Sequence, residues 1–148
     1  MNRKQLLITL SALIMTAAAT AFAAEFGTAA EAKAMLEKAV AAIKANKADA
    51  LAKIAKGEGG FKDRDLYPFC VGADGKFSVH PTLAGTAAKD LKDKAGKPIG
   101  EEFLKVAQEG KISEVTYMWP RPGSTEPVQK VSYVTKVGDE ICAVGYYK

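Results

Sequence analysis

VTYMWPRPGSTEPVQKVSY, Val115 to Tyr133, carries the densest structural signal in the chain: the only Trp, two of the five Tyr and three of the six Pro. Large rigid side chains beside a stiff Pro- and Gly-containing loop are how small-ligand pockets are commonly furnished. The same composition also suits an aromatic sheet core in which two strands are closed by a long hairpin. Both readings make the stretch strand, loop, strand.

Outward from it, the C-terminal part continues as sheet. Strands are expected at Lys111 to Trp119, Val128 to Val137 and Glu140 to Tyr147, with Gly138 and Asp139 making the last connection a tight hairpin. A short helix, Glu101 to Glu109, precedes them and is stopped by Gly110. Residues 81–100, rich in Gly, Pro and alternating Lys and Asp, read as irregular with at most a turn of helix, a kind of segment that often carries function.

Upstream, period-two patterning begins at Leu66. Leu66, Pro68 and Cys70 fall on one face, and Tyr67, Phe69 and Val71 on the other. Pro68 lacks a ladder donor and predicts a bulge or a gap in pairing. Gly72 to Gly75 form a turn into a returning strand, Lys76 to His80. Thr28 with Glu31 three residues on is a capping box. The helix it starts has Ala32, Met35, Leu36, Ala39, Val40 and Ile43 on one stripe. Asn46, with Asp49 three residues on, caps a second short helix through Ile54, ended by Gly57.

The first 23 residues read as a cleaved export signal. Arg3 and Lys4 form a basic start, Leu6 to Ala18 an apolar run too short to span a membrane, and Ala21-Phe22-Ala23 a small-x-small cleavage site. Residues 24–148 are then one domain, expected in the periplasm and without a membrane span once the signal is removed. The signal carries two of the 21 Lys and Arg and none of the 17 Asp and Glu, so the rest is nearly neutral despite a pI near 9.0. Its charges are interleaved, which argues against nucleic-acid binding. Two Cys, Cys70 and Cys142, favour a disulfide in an exported protein, with two buried thiols as the alternative. With one His, the chain offers no recognisable metal site and implies no cofactor.

The order of motifs names a family. Phe61-Lys62-Asp63-Arg64-Asp65-Leu66-Tyr67-Pro68-Phe69-Cys70, Asp74-Gly75-Lys76, Val79-His80-Pro81, Tyr117-Met118-Trp119-Pro120, Lys130-Val131-Ser132-Tyr133-Val134 and Val144-Gly145-Tyr146-Tyr147 together resemble the single Cache domain of the second type. The resemblance implies an α+β, PAS-like fold: a five-stranded antiparallel sheet in order 2-1-5-4-3, a long N-terminal helix on one face, short connecting helices, and a ligand under loops on the other face. It also implies that the first and last strands are neighbours, which places Cys70 and Cys142 within reach of each other. Small organic acids are frequent ligands of such domains, which usually sit in chemoreceptors or sensor kinases.

A small carboxylate in an apolar pocket needs donors to replace its hydration. Tyr117, Trp119, Tyr133, Lys130, His80 and Arg121 are the candidates. Tyr117 and Trp119 share a face, whereas Lys130 and Tyr133 oppose each other in a regular strand, so both line one pocket only through a bulge. His80, held extended by Pro81, reads first as a hydrogen-bonded residue at a strand end and second as a ligand donor. Asp63 and Asp65 read as solvated loop charges. Ser124 lies outside any nucleophile elbow, and a single His has no recognisable nucleophile to serve, so the domain is expected to be non-catalytic. The expectation is a periplasmic small-molecule binding or sensing domain. The alternative is an accessory protein that docks on a membrane receptor or transporter through the aromatic strand-loop-strand.

Overall fold

The computed structural model describes residues 24–148, so the export-signal reading of the first 23 lies outside the described residues. The chain runs α1 (Ala29–Ala45), α2 (Lys47–Lys56), β1 (Pro68–Val71), β2 (Phe77–Val79), a 3-10 turn (Ala88–Asp90), α3 (Ile99–Val106), β3 (Ser113–Pro120), β4 (Pro127–Val137) and β5 (Glu140–Tyr147). The five strands form one antiparallel sheet in the order β2-β1-β5-β4-β3. No described helix is long and apolar enough to cross a membrane.

Local chemistry sets the helices. Thr28 accepts from the Glu31 amide, and the Glu31 carboxylate accepts from the Thr28 amide, closing the expected capping box. Asn46 caps α2 by accepting from Asp49 N, and Gly57 ends it with φ 69°. The apolar stripe of α1 covers one face of the sheet, where Ala32, Leu36 and Ala39 meet Leu66, Cys70, Cys142 and Val144. On the other face Phe69, Phe77, Ile99, Phe103, Val115 and Tyr117 form a second core beneath α3 and the irregular segment.

Cys70 and Cys142 face each other directly across β1 and β5 and are bonded, with Cα atoms 4.1 Å apart and both residues fully buried. The alternative of two buried thiols is thereby excluded.

Several boundaries differ from the sequence reading. Leu66 precedes the sheet because it is held in a tight reverse turn with Asp63, so β1 starts at Pro68. There the proline pairs with Val144 of β5 and lies beyond the reach of β2, and the register shift falls later, between Cys70 and Val71. α3 starts two residues early and ends at Val106. Pro98 at its N-cap sets the start, and Gly100 lets the helix lie against the Ala88 carbonyl, where a Cβ would overlap it. Val40 is half-buried, at the edge of the stripe.

Residues 81–100 are pinned by Asp93. Its carboxylate accepts from the amides of Ala95 (2.9 Å) and Lys97 (2.8 Å), and from Met118 N on β3 (3.0 Å). These donors hold its pKa below the ordinary carboxylate value against the opposing effect of burial.

Candidate functional site

The second face opens toward the β3–β4 connection. β4 pairs with β3 and β5 without interruption, so its even-numbered residues Lys130, Ser132 and Val134 point to this face. Lys130 is only 1% exposed. Its Nζ donates to Tyr67 Oη at 2.9 Å and lies 4.2 Å from the Tyr67 ring centroid, 5.0 Å from that of Tyr147 and 5.7 Å from that of Phe69. Among the described residues, no carboxylate lies within ion-pair distance of this ammonium. Desolvation pushes its pKa down to about 7, opposed by the more distant charge of Asp65.

Glycine makes the space. Gly145 sits opposite Ser132 on β5, and a Cβ there would overlap Lys130 Cε and Ser132 Oγ. Gly145→Ala is expected to force the lysine stem off its bed and destabilise the domain by about 1–3 kcal/mol, as overpacking does. Urea denaturation checks this, and an unchanged midpoint would mean that Lys130 swings aside without cost.

Around the lysine stands an aromatic wall. His80 follows β2, with its ring 6.0 Å from Tyr67, 5.6 Å from Phe69 and 6.2 Å from Trp119, all edge-on. Its Nδ1 accepts from the amides of Thr82 (3.1 Å) and Leu83 (3.2 Å), which places the proton of the neutral ring on Nε2. Burial, with a smaller contribution from the charge of Lys130, lowers its pKa to about 4, so it is a neutral donor at ordinary pH. Trp119 is half-buried and packs against Tyr117 at 6.1 Å. Arg121 Cζ lies 4.2 Å from the Phe26 ring centroid and 5.1 Å from that of Tyr147, and its Nε reaches Asp65 Oδ2 at 3.4 Å.

Tyr67, His80, Pro81, Trp119, Arg121 and Pro122 line a cavity of about 170 Å³. A larger concavity of about 270 Å³ lies on the α2 side and shares Tyr67, Pro81 and Pro122 as a common wall. Its lysines, Lys56 and Lys62, are exposed, so the buried polar chemistry belongs to the smaller space. Deeper in, Phe69, Phe77, His80, Phe103, Tyr117 and Trp119 close against one another and leave about 10 Å³, room for one water-sized sphere at most.

Of the six residues singled out in the sequence, His80, Trp119 and Arg121 line one cavity, and Lys130 stands behind Tyr67 in its wall. Tyr117 faces the same side but is buried, with its hydroxyl 2.8 Å from Ser132 Oγ and its pKa raised by desolvation. Tyr133 is elsewhere. Because β4 has no bulge, it points to the α1 face, where it stacks on Tyr146 with centroids 5.9 Å apart.

Asp65 is also not the solvated charge expected: it is 5% exposed and accepts from Gly27 N at 2.7 Å. Asp63 remains at the surface, paired with Arg64. No described group of His, Cys, Asp and Glu is arranged to hold a metal ion. Tyr67, Asp65, Gly145 and Tyr147 were missed as site residues. Strand parity alone places Tyr67 with Phe69, and Gly145 with Tyr147.

A sheet of this order, with a helix across one face and a donor-lined cavity under loops on the other, is the architecture of extracytoplasmic sensor domains. The chain belongs to the single Cache domain 2 family, whose model matches residues 1–146, a family of non-catalytic sensor domains.

Among solved structures, a methyl-accepting chemotaxis protein of Vibrio parahaemolyticus superposes with a TM-score of 0.65 at 24% identity, covering 80% of this chain and 86% of that one. The periplasmic sensor domain of a chemotaxis protein follows, with a TM-score of 0.60 at 25% identity over 78% of this chain and 86% of that one. A Cache chemosensory domain whose structure gives the basis for carboxylic acid recognition has a TM-score of 0.56 at 25% identity, covering 78% and 84%. In sequence, the methyl-accepting chemotaxis protein McpP of Pseudomonas putida is 32% identical over 75 residues, which are 49% of this chain but only 14% of that receptor.

Proposed function

We propose that residues 24–148 act as a periplasmic binding domain for a small organic acid, exported by way of the first 23 residues. The observation that carries this reading is the buried Lys130 ammonium. Three N–H donors sit in an aromatic enclosure, one of them on Tyr67 Oη and none on a carboxylate among the described residues. An anion that reaches it through the Tyr67 wall gains a charge-assisted bond in low dielectric, where such bonds are strongest. His80 Nε2 and Arg121 supply further donors at the cavity, and the rings of Trp119 and Tyr67 cover the apolar part of the acid. The disulfide, the likeness to a periplasmic sensor domain and the carboxylic acid recognised by one structural neighbour support the same reading.

The test is thermal unfolding of the oxidised protein with acetate, propionate, pyruvate, amino acids and amines. A ligand at 100 times its dissociation constant stabilises the native state by about 2.7 kcal/mol, several degrees for a domain of this size. A shift confined to acids supports the proposal. No shift across the panel ends it and favours docking on a membrane receptor or transporter, to be sought by pull-down from membranes.

A further inference from the structure

Two cationic side chains serve the proposed site, and they differ in how their charges are matched. Arg121 and Lys130 both lie against the Tyr147 ring, at 5.1 and 5.0 Å from its centroid. Asp65 is the buried carboxylate beside them. Its Oδ1 accepts from Gly27 N at 2.7 Å, and its Oδ2 is 3.4 Å from Arg121 Nε. Arg121 therefore already has a counter-ion held in place by the fold, and Lys130 has none among the described residues.

The other groups around the site add no charge. His80 is a neutral donor, because its Nδ1 is occupied as an acceptor. Tyr67, Tyr117 and Tyr147 are phenols whose pKa values burial raises further above neutrality. Lys56 and Lys62 are exposed in the neighbouring concavity, where solvent screens them. With Lys130 protonated, the enclosed charge is one positive unit.

We infer that Asp65 is a specificity-determining residue: by neutralising Arg121 it leaves the site one uncompensated cation, so the site takes one carboxylate and rejects a second. A monocarboxylate matches that charge. A dicarboxylate brings a second anion into a cavity whose other cation, Arg121, is already paired with Asp65, and a carboxylate that gives up hydration there without a counter-charge is unfavourable. The inference rests on the organic-acid reading of the site and adds the number of carboxylates.

The experiment compares acetate, propionate and pyruvate with malonate and succinate by calorimetric titration and thermal shift, in the parent protein, Asp65→Asn and Arg121→Gln. Asn keeps an oxygen for Gly27 N and removes the charge. The parent is expected to prefer monocarboxylates at least roughly tenfold, and Asp65→Asn to raise the diacid-to-monoacid affinity ratio by at least about tenfold, the scale of one opposed charge at partial screening. Arg121→Gln leaves Asp65 unpaired toward the site and is expected to weaken monocarboxylates by about tenfold.

A parent that binds no acid of either kind overturns the organic-acid reading, and the inference falls with it. A parent that binds acids but does not distinguish the two classes, or an Asp65→Asn protein whose ratio is unchanged, overturns the role of Asp65 and leaves the reading standing. If Asp65→Asn does not fold, Arg121→Gln decides through the same ratio: the uncovered Asp65 charge is expected to weaken diacids more than monoacids, whereas an equal loss for both, the effect of a missing Arg121 donor alone, overturns the inference.

Discussion

Lys130→Met is expected to remain folded at pH 7, at least as stable as the parent, and to bind small acids roughly 100-fold more weakly. The loss follows from removing the one buried ammonium that faces the aromatic enclosure, since hydrogen bonds to charged groups contribute about 1.5–3 kcal/mol. The retained stability follows from the cost of burying the ammonium. Met has nearly the same volume and no hydration to lose, and replacing buried charges by apolar residues is often neutral or stabilising.

The same desolvation sets a pH dependence. Lys130 has its folded pKa lowered to about 7, well below the ordinary lysine value near 10.5, so between those limits the folded state holds fewer protons than the unfolded one. Stability of the ligand-free domain therefore rises with pH from about 7 upward, and below pH 7 the full penalty is present. The window is clearest up to about pH 9.5. Above it Tyr67, Tyr117 and Tyr147, whose folded pKa values are raised, begin to oppose the trend. Urea titrations at pH 7.5, 8.2 and 9, above the range in which His80 contributes a slope of its own, should show the slope in the parent and its absence in Lys130→Met. Acid binding to the parent at pH 8 should take up protons, read by calorimetry in buffers of different ionisation enthalpy. A flat pH profile in the parent, or unchanged acid affinity in the variant, would remove Lys130 from the centre of the site.

The second large effect concerns stability. Breaking the Cys70–Cys142 bond, by reduction or by the double Ala variant, is expected to cost about 4 kcal/mol for a sequence separation of 72 residues. That corresponds to roughly 15 °C in Tm for a domain of this size. The bond joins the edge-side pair β1–β2 to the longer β5-β4-β3 block, so its loss should loosen β1 and β2 first, which amide hydrogen exchange across Phe69–Val79 would report. A change below about 1 kcal/mol would mean that the unfolded chain is already compact enough for the cross-link to constrain little.

Sequence reasoning did best where cause and effect lie close in the chain. The Thr28–Glu31 box and the Asn46 cap depend on spacings of three residues, and the alternation of Phe69, Cys70 and Val71 between the two faces on the period of one strand. Parity also carried the statement that Lys130 and Tyr133 oppose each other, and the unbroken ladder of β4 decided between the bulged and the regular strand. The Lys and Asp alternation of the irregular segment concealed Asp93, because nothing in a run of charges marks the one that will receive three backbone amides.

By itself the sequence determined the α+β class, the two apolar faces, the helix caps and, through its ordered motifs, the family. Only the tertiary structure decided which charges are buried and with whom. Lys130 meets Tyr67 across 63 residues of chain, and Asp65 meets Gly27 across 38 and Arg121 across 56. Desolvation is set by whatever distant segments pack over a group, and one charged side chain on a strand looks like another until those segments arrive. The space that admits the Lys130 stem is likewise the missing Cβ of Gly145 on the neighbouring strand, a fact of register between β4 and β5.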